Sequence, residues 1–142
     1  MKLSFCFAAA LLAISHSSIA ADIKRYPLPN NSTFPIAAAV EVPAGKTVVY
    51  ESGKVPAPLN PKAEKNSEAY WGNTEQQTVS VLSQIETSLK DKGLGMGDVV
   101  KMTVFLVGDP ALDGKMDFSG FMQGYTRFFG TEQQPNLPAR SA

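Results

Sequence analysis

The sequence predicts an α+β fold in a single domain: one sheet with two helices packed on one face. Three observations carry that prediction. Residues 99–107 alternate at period two, with Val100, Met102, Val104 and Leu106 on one face and a mixed set on the other. Residues 73–92 and 117–129 flank that run and carry apolar side chains at helical spacing. Short apolar or alternating runs at 22–26, 36–42 and 47–51 supply further strands.

The N-terminus is set aside first. Lys2 is a minimal basic region, residues 3–14 are apolar, and Ser18-Ile19-Ala20 puts small residues where a signal peptidase reads. Residues 1–20 are therefore expected to be a secretory signal cleaved after Ala20, leaving a domain over 21–142 in a secreted or periplasmic protein. The apolar run is too short to span a bilayer. Cleavage removes Cys6 and His16, the only cysteine and the only histidine of the 142 residues. The remainder has no thiolate, no disulfide, no Ser-His-Asp triad and no His-ligated metal. Its chemistry rests on carboxylates, hydroxyls, Lys, Arg and backbone groups. Lys2 is the only charged residue lost, so the balance of 13 basic and 13 acidic residues is barely disturbed. A near-neutral chain has no electrostatic footprint for nucleic acid, and nothing in the expected mature chain argues for a membrane surface.

Taken in order, residues 22–26 form a strand stopped by Pro27 and Pro29, and Asn30 to Thr33 form a loop. Residues 36–42 form a strand bordered by prolines, Ala44-Gly45-Lys46 a hairpin turn, and 47–51 the returning strand, which ends at Ser52-Gly53. Residues 54–72 hold Pro56, Pro58 and Pro61 and read as a long surface loop, with Tyr70 and Trp71 pinned to the body. The first helix starts at Thr74, whose spacing to Gln77 fits a capping box, or at Asn73 as the alternative cap. Gly93 is suited to close it. The second helix starts at Asp117. Its stripe of Phe118, Phe121, Met122, Tyr125, Phe128 and Phe129 is core, and Gly120 and Gly124 imply close approach to a neighbouring element. Gly130 ends it.

Four stretches together resemble a known family. They are Gly97-Asp98-Val99-Val100-Lys101-Met102-Thr103-Val104-Phe105-Leu106, Asp117-Phe118, the end of the second helix at 125–129, and Pro138-Ala139-Arg140-Ser141. Over roughly 40–142 the chain resembles the reactive-intermediate deaminase (Rid) family, also known as the L-PSP endoribonuclease family. The resemblance implies a chorismate-mutase-like fold and a homotrimer with sites in clefts between subunits. It implies hydrolysis of reactive enamines and imines, of the 2-aminoacrylate or iminopyruvate type, to 2-keto acids and ammonia, with no metal and no cofactor.

By that resemblance Arg140 is the arginine that holds the substrate carboxylate and is the expected catalytic residue. A planar guanidinium fork suits that task. Ser52 and Gly53 match a Ser-Gly pair that lines the neighbouring subunit's side of the cleft, where Ser52 hydrogen-bonds substrate and Gly53 lets backbone approach it. Ala39 stands where the family has a tyrosine, and Ala142 where it has a cysteine. The family continues with one or two further strands, the last bearing an acidic residue, so C-terminal strands are expected to be missing. Arg140, close to that end, is expected to have few core contacts and little effect on stability. A trimer that binds small carboxylates without turning them over is the alternative. An endoribonuclease is a weaker one, against which the neutral charge and the lack of histidine both weigh.

Overall fold

Asn73 starts the long helix. In the computed structural model, which describes residues 21–142, its side chain accepts from the Gln76 amide at 3.0 Å. The Gln76 side chain accepts from the Asn73 amide at 3.0 Å in return. The capping box is thus one residue earlier than Thr74 and Gln77, and the alternative cap is the one used. Asn73 has the extended backbone a cap needs, while Gln77 is left to donate to the Gly72 carbonyl at 2.8 Å. The expected signal over residues 1–20 lies outside the described residues.

In chain order the elements are β1 (Lys24–Tyr26), β2 (Ala39–Glu41), α1 (Glu68–Trp71), α2 (Thr74–Lys90), a 3-10 turn at Met96–Asp98 and β3 (Lys101–Thr103). There follow β4 (Gly108–Asp109), a 3-10 turn at Pro110–Leu112, β5 (Lys115–Met116), α3 (Phe118–Tyr125) and β6 (Ala139–Ser141). The fold is α+β, with α2 and α3 packed on each other and over the strands. α2 closes on Gly93 at φ +71°, where Gly93 donates to Lys90 and Leu94 donates to Leu89. That pair of bonds is the Schellman closure, which favours glycine because of the left-handed φ. Asp117 caps α3 by accepting from the Gly120 amide at 2.8 Å. This helix is shorter than expected. Beyond it Phe128 and Phe129 both donate to the Tyr125 carbonyl in tight turns, which still bury Phe129.

The core is the cluster of Leu82, Leu89, Met96, Phe121, Tyr125 and Phe129. Met102, Val104 and Leu106 pack against it from the strand side, while Phe105 and Val107 are 90% and 89% exposed. The alternation expected over 99–107 therefore holds in burial over 101–107, whereas at its start Val99, assigned to the other face, packs against the core and Val100 does not. Ladder pairing is shorter: β3 runs parallel to β6 with Lys101, Met102 and Thr103 opposite Ala139, Arg140 and Ser141. Residues 104–107 keep the alternation beyond the ladder.

Where one sheet was expected, pairing falls into three two-stranded ladders, β1–β2, β3–β6 and β4–β5. The first two are joined through a parallel bridge between Ala37 and Ala139, with Ala37 donating to the Pro138 carbonyl and Ala139 to that of Val100. The strand expected at 47–51 is not formed. The turn before it is present, with Gly45 at φ +88°. The segment after it, however, is drawn to the end of α2, where Glu51 meets Lys92 at 2.9 Å and accepts from Ser88 at 3.0 Å. The loop at 54–72 is held along α2: the Ala57 amide donates to Ser80 and Gln84 donates to the Val55 carbonyl. It ends in α1, where Tyr70 and Trp71 meet edge to face.

Candidate functional site

Strand register aims Arg140. In a parallel ladder, residues opposite one another project to the same face. Arg140 is opposite Met102, which belongs to the helix-facing set, so Arg140 also points under the strands toward α3. Its neighbours Ala139 and Ser141 take the other side, where the Lys101 ammonium donates to the Ser141 hydroxyl at 3.1 Å.

Under the strands the guanidinium meets aromatic rings. Arg140 Cζ lies 4.3 Å from the Tyr125 ring centroid, 4.8 Å from Phe121, 5.4 Å from Phe34 and 5.7 Å from Phe118. All four are within cation–π range. Three come from α3 at helical spacing. Phe34 is brought in by the 30–34 turn, where Asn30 and Asn31 adopt φ +57° and +52°, and it stacks on Phe118 at 6.3 Å. Arg140 Nη1 donates to Met122 Sδ at 3.2 Å. Among the described residues Arg140 has no ion pair with a carboxylate.

This corrects one expectation. Arg140 does not lack core contacts; the two nearest rings, Tyr125 and Phe121, are themselves core. Burial draws its pKa below the ordinary guanidinium value, and the Tyr125 side chain opposes that shift. Tyr125 is fully buried, and its hydroxyl donates to the Pro35 carbonyl at 2.9 Å. Burial pushes its pKa up to about 12, against the pull of the Arg140 cation. Tyr125 is therefore a neutral hydrogen-bond donor, not a base, at ordinary pH.

Ser52 and Gly53 are exposed, on the stretch that follows Glu51 along the end of α2. Among the described residues no hydrogen bond joins Ser52 to Arg140, and a Cβ on Gly53 would meet nothing within 4 Å. One chain does not bring the pair to the arginine. Ala39 pairs across the β1–β2 ladder with Tyr26, whose hydroxyl donates to Glu41 at 2.6 Å.

Sequence reading missed all five partners of the arginine: Phe34, Phe118, Phe121, Met122 and Tyr125. The helical spacing of Phe118, Phe121, Met122 and Tyr125 marked that face as core but not as a seat for a cation. It also missed Arg25, whose Nη2 donates to the carbonyls of Gly97 at 2.7 Å and Val99 at 3.2 Å. Arg25 lines a polar cleft of about 370 Å³ with Lys46, Asp98 and Asn136. Burial lowers its pKa and Asp98 opposes the shift.

Comparison with known proteins adds the following. A model of the family described as Endoribonuclease L-PSP matches residues 30–142. A protein of Lactococcus lactis subsp. lactis (strain IL1403), AldR, named as a regulator, is 35% identical over 117 residues, which cover 75% of this chain and 81% of that protein. The crystal structure of NMB1025 from Neisseria meningitidis, a member of the YjgF protein family, covers 84% of this chain and 77% of that one at 20% identity and a TM-score of 0.44.

Proposed function

The chain belongs to the endoribonuclease L-PSP family, and on that premise we propose that it hydrolyses reactive enamine and imine intermediates, of the 2-aminoacrylate or iminopyruvate type, to 2-keto acids and ammonia. The observation that carries the proposal is Arg140. It is a permanent cation set among aromatic rings, without a carboxylate partner among the described residues. A guanidinium left un-neutralised at low dielectric attracts an anion strongly. An imino acid supplies a planar carboxylate next to its C=N bond. Holding the carboxylate fixes that bond for attack by water: oxygen adds to the imine carbon, the C–N bond breaks, and ammonia leaves as the keto acid forms.

The proposed assembly is a homotrimer whose clefts bring Ser52 and Gly53 of one subunit toward Arg140 of the next. Its support is exposed apolar surface: Phe105, Val107 and Tyr50 are 90%, 89% and 91% exposed. The protein is proposed to act outside the cytoplasm, on the strength of Lys2, the apolar run after it and Ser18-Ile19-Ala20. A mature N-terminus at Ala21, read by mass spectrometry of protein from the cell envelope, is the expected result.

A second reading has the trimer bind small carboxylates without turnover, and Ala39 at the family's tyrosine position favours it. Ammonia release from freshly generated 2-aminoacrylate separates the two. Release well above the spontaneous rate supports the hydrolase, and the spontaneous rate alone supports the binder.

A further inference from the structure

Phe34 is held in place by its own backbone. Its amide donates to the Ser32 hydroxyl at 3.3 Å, and its carbonyl accepts from Ile36 at 2.8 Å. The next carbonyl, that of Pro35, accepts from the Tyr125 hydroxyl at 2.9 Å, and Tyr125 is in turn hydrogen-bonded to Arg140. The turn is thus tied to the same tyrosine that meets the guanidinium. Phe34 nevertheless keeps 38% of its surface exposed. Its ring lies nearly parallel to that of Phe118, at 17°, with the centroids 6.3 Å apart.

Burial divides the rings around Arg140 into two sets. Tyr125 and Phe121 are buried and form a floor. Phe118 is half-buried and Phe34 exposed, beside a guanidinium that is itself half-buried. A ligand arriving from solvent therefore comes alongside Phe34 and Phe118. A carboxylate held by a guanidinium sits about 2.8 Å from its nitrogens. The group carried on the next carbon is then within reach of rings centred 5.4 and 5.7 Å from Cζ. Those rings offer an apolar face. An aromatic substituent stacks on it, a methyl group covers little of it, and a polar substituent loses water there without finding a hydrogen bond.

We propose that Phe34 and Phe118 are specificity-determining residues of the Arg140 site. They select 2-imino acids, and the 2-keto acids formed from them, that carry an aromatic or large apolar substituent over those that carry a methyl group. This rests on the carboxylate-binding part of the proposed function and adds to it the class of side chain the site accepts.

The test titrates purified protein with pyruvate and with phenylpyruvate by calorimetry and reads the ratio of the two affinities, which a general loss of stability leaves alone. Wild type is expected to bind phenylpyruvate about tenfold more tightly or better, the scale of part-burying one aromatic side chain. Phe34→Ala and Phe118→Leu are each expected to lower that ratio by about two- to tenfold, the scale of one aromatic pair. Phe34→Leu, which keeps an apolar side chain on the turn, carries the comparison if Phe34→Ala fails to fold by its melting curve. Both ligands are expected to lose affinity in Arg140→Lys, which keeps the charge without the fork. A wild-type ratio near one overturns the inference and leaves the carboxylate-binding reading standing. So does a high ratio that no ring variant lowers. Absence of binding by either ligand, or affinities unchanged in Arg140→Lys, overturns the inference together with that reading. Binding in the expected order but no ammonia release leaves this inference standing and removes only the hydrolase.

Discussion

A Cβ placed on Gly124 would meet the Thr78 Cβ at 2.7 Å and the Glu75 carbonyl oxygen at 2.9 Å. The two main helices therefore touch backbone to side chain, as the glycines four apart in α3 foretold. Alanine at 124 improves helix propensity by up to about 1 kcal/mol. It also drives a methyl against a main-chain oxygen that no rotamer change can move. The clash wins, and Gly124→Ala is expected to destabilise by about 1–3 kcal/mol. Urea melting reads this directly, and an unchanged midpoint would mean that the helices stand further apart.

The capping box at Asn73 is a second check on the same helix. Asn73→Ala removes the acceptor for the Gln76 amide and is expected to cost about 1 kcal/mol. Thr74→Ala leaves the cap intact and is expected to cost less. The reverse order in thermal melts would return the cap to Thr74.

Arg140 is expected to affect both activity and stability. On the proposed reaction, Arg140→Ala removes the carboxylate contact and is expected to lower kcat/KM for 2-aminoacrylate by about 30- to 1000-fold, for a desolvated contact worth roughly 2–4 kcal/mol. It also leaves four rings without their cation, which costs about 1–2 kcal/mol of stability. Arg140→Lys keeps the charge and loses the planar fork, so stability recovers in part and activity does not. Full activity in the lysine variant would end the case for a bidentate clamp.

Tyr125 sets an alkaline limit. Its folded pKa is pushed up to about 12, above its ordinary value of 10.0. Between those values the folded chain keeps a proton that the unfolded chain releases, so stability falls as pH rises from about 10 to 12 and is unaffected by this group below that window. Tyr125→Phe is expected to lose about 1 kcal/mol at neutral pH, with the bond to Pro35. It should also decline less steeply at high pH. Parallel slopes for the two proteins would count against the buried phenol.

Phe105 tests the assembly. Exposed as it is, Phe105→Glu should leave a monomer's fold intact while placing like charges together at the proposed subunit contact. Light scattering is expected to show a trimer for wild type and a smaller species for the variant. A wild-type monomer at micromolar concentration removes the inter-subunit role of Ser52 and Gly53.

Much of this arrangement was legible because it follows from period and capping. The alternation read over 99–107 gave the right faces from 101 onward but not at Val99 and Val100, and Asp117, Gly93 and the aromatic stripe marked real helix ends and a real core. The strand at 47–51 was misread. Alternation reports which side chains want burial, whereas a ladder needs a partner, and Glu51 finds Lys92 and Ser88 instead. Arg140 was found by resemblance, but its surroundings were not. Phe34 lies more than a hundred positions away, and no local pattern links the two. The Ser52 and Gly53 assignment needs a second chain, about which a single chain's periodicity says nothing.

The parallel β3–β6 ladder has a consequence for the order of folding. Its partners, such as Met102 and Arg140, are far apart in sequence, whereas the turns of α2 and α3 close over a few residues. Loop closure makes the long-range pairing the slower event. During synthesis, residues 101–103 emerge well before 139–141 and must wait for them. Over that interval α3 emerges as well, so its rings are made before the guanidinium that later sits on them. The cation thus joins its rings after they are made, and a chain stalled before position 140 would carry the rings of α3 without that charge.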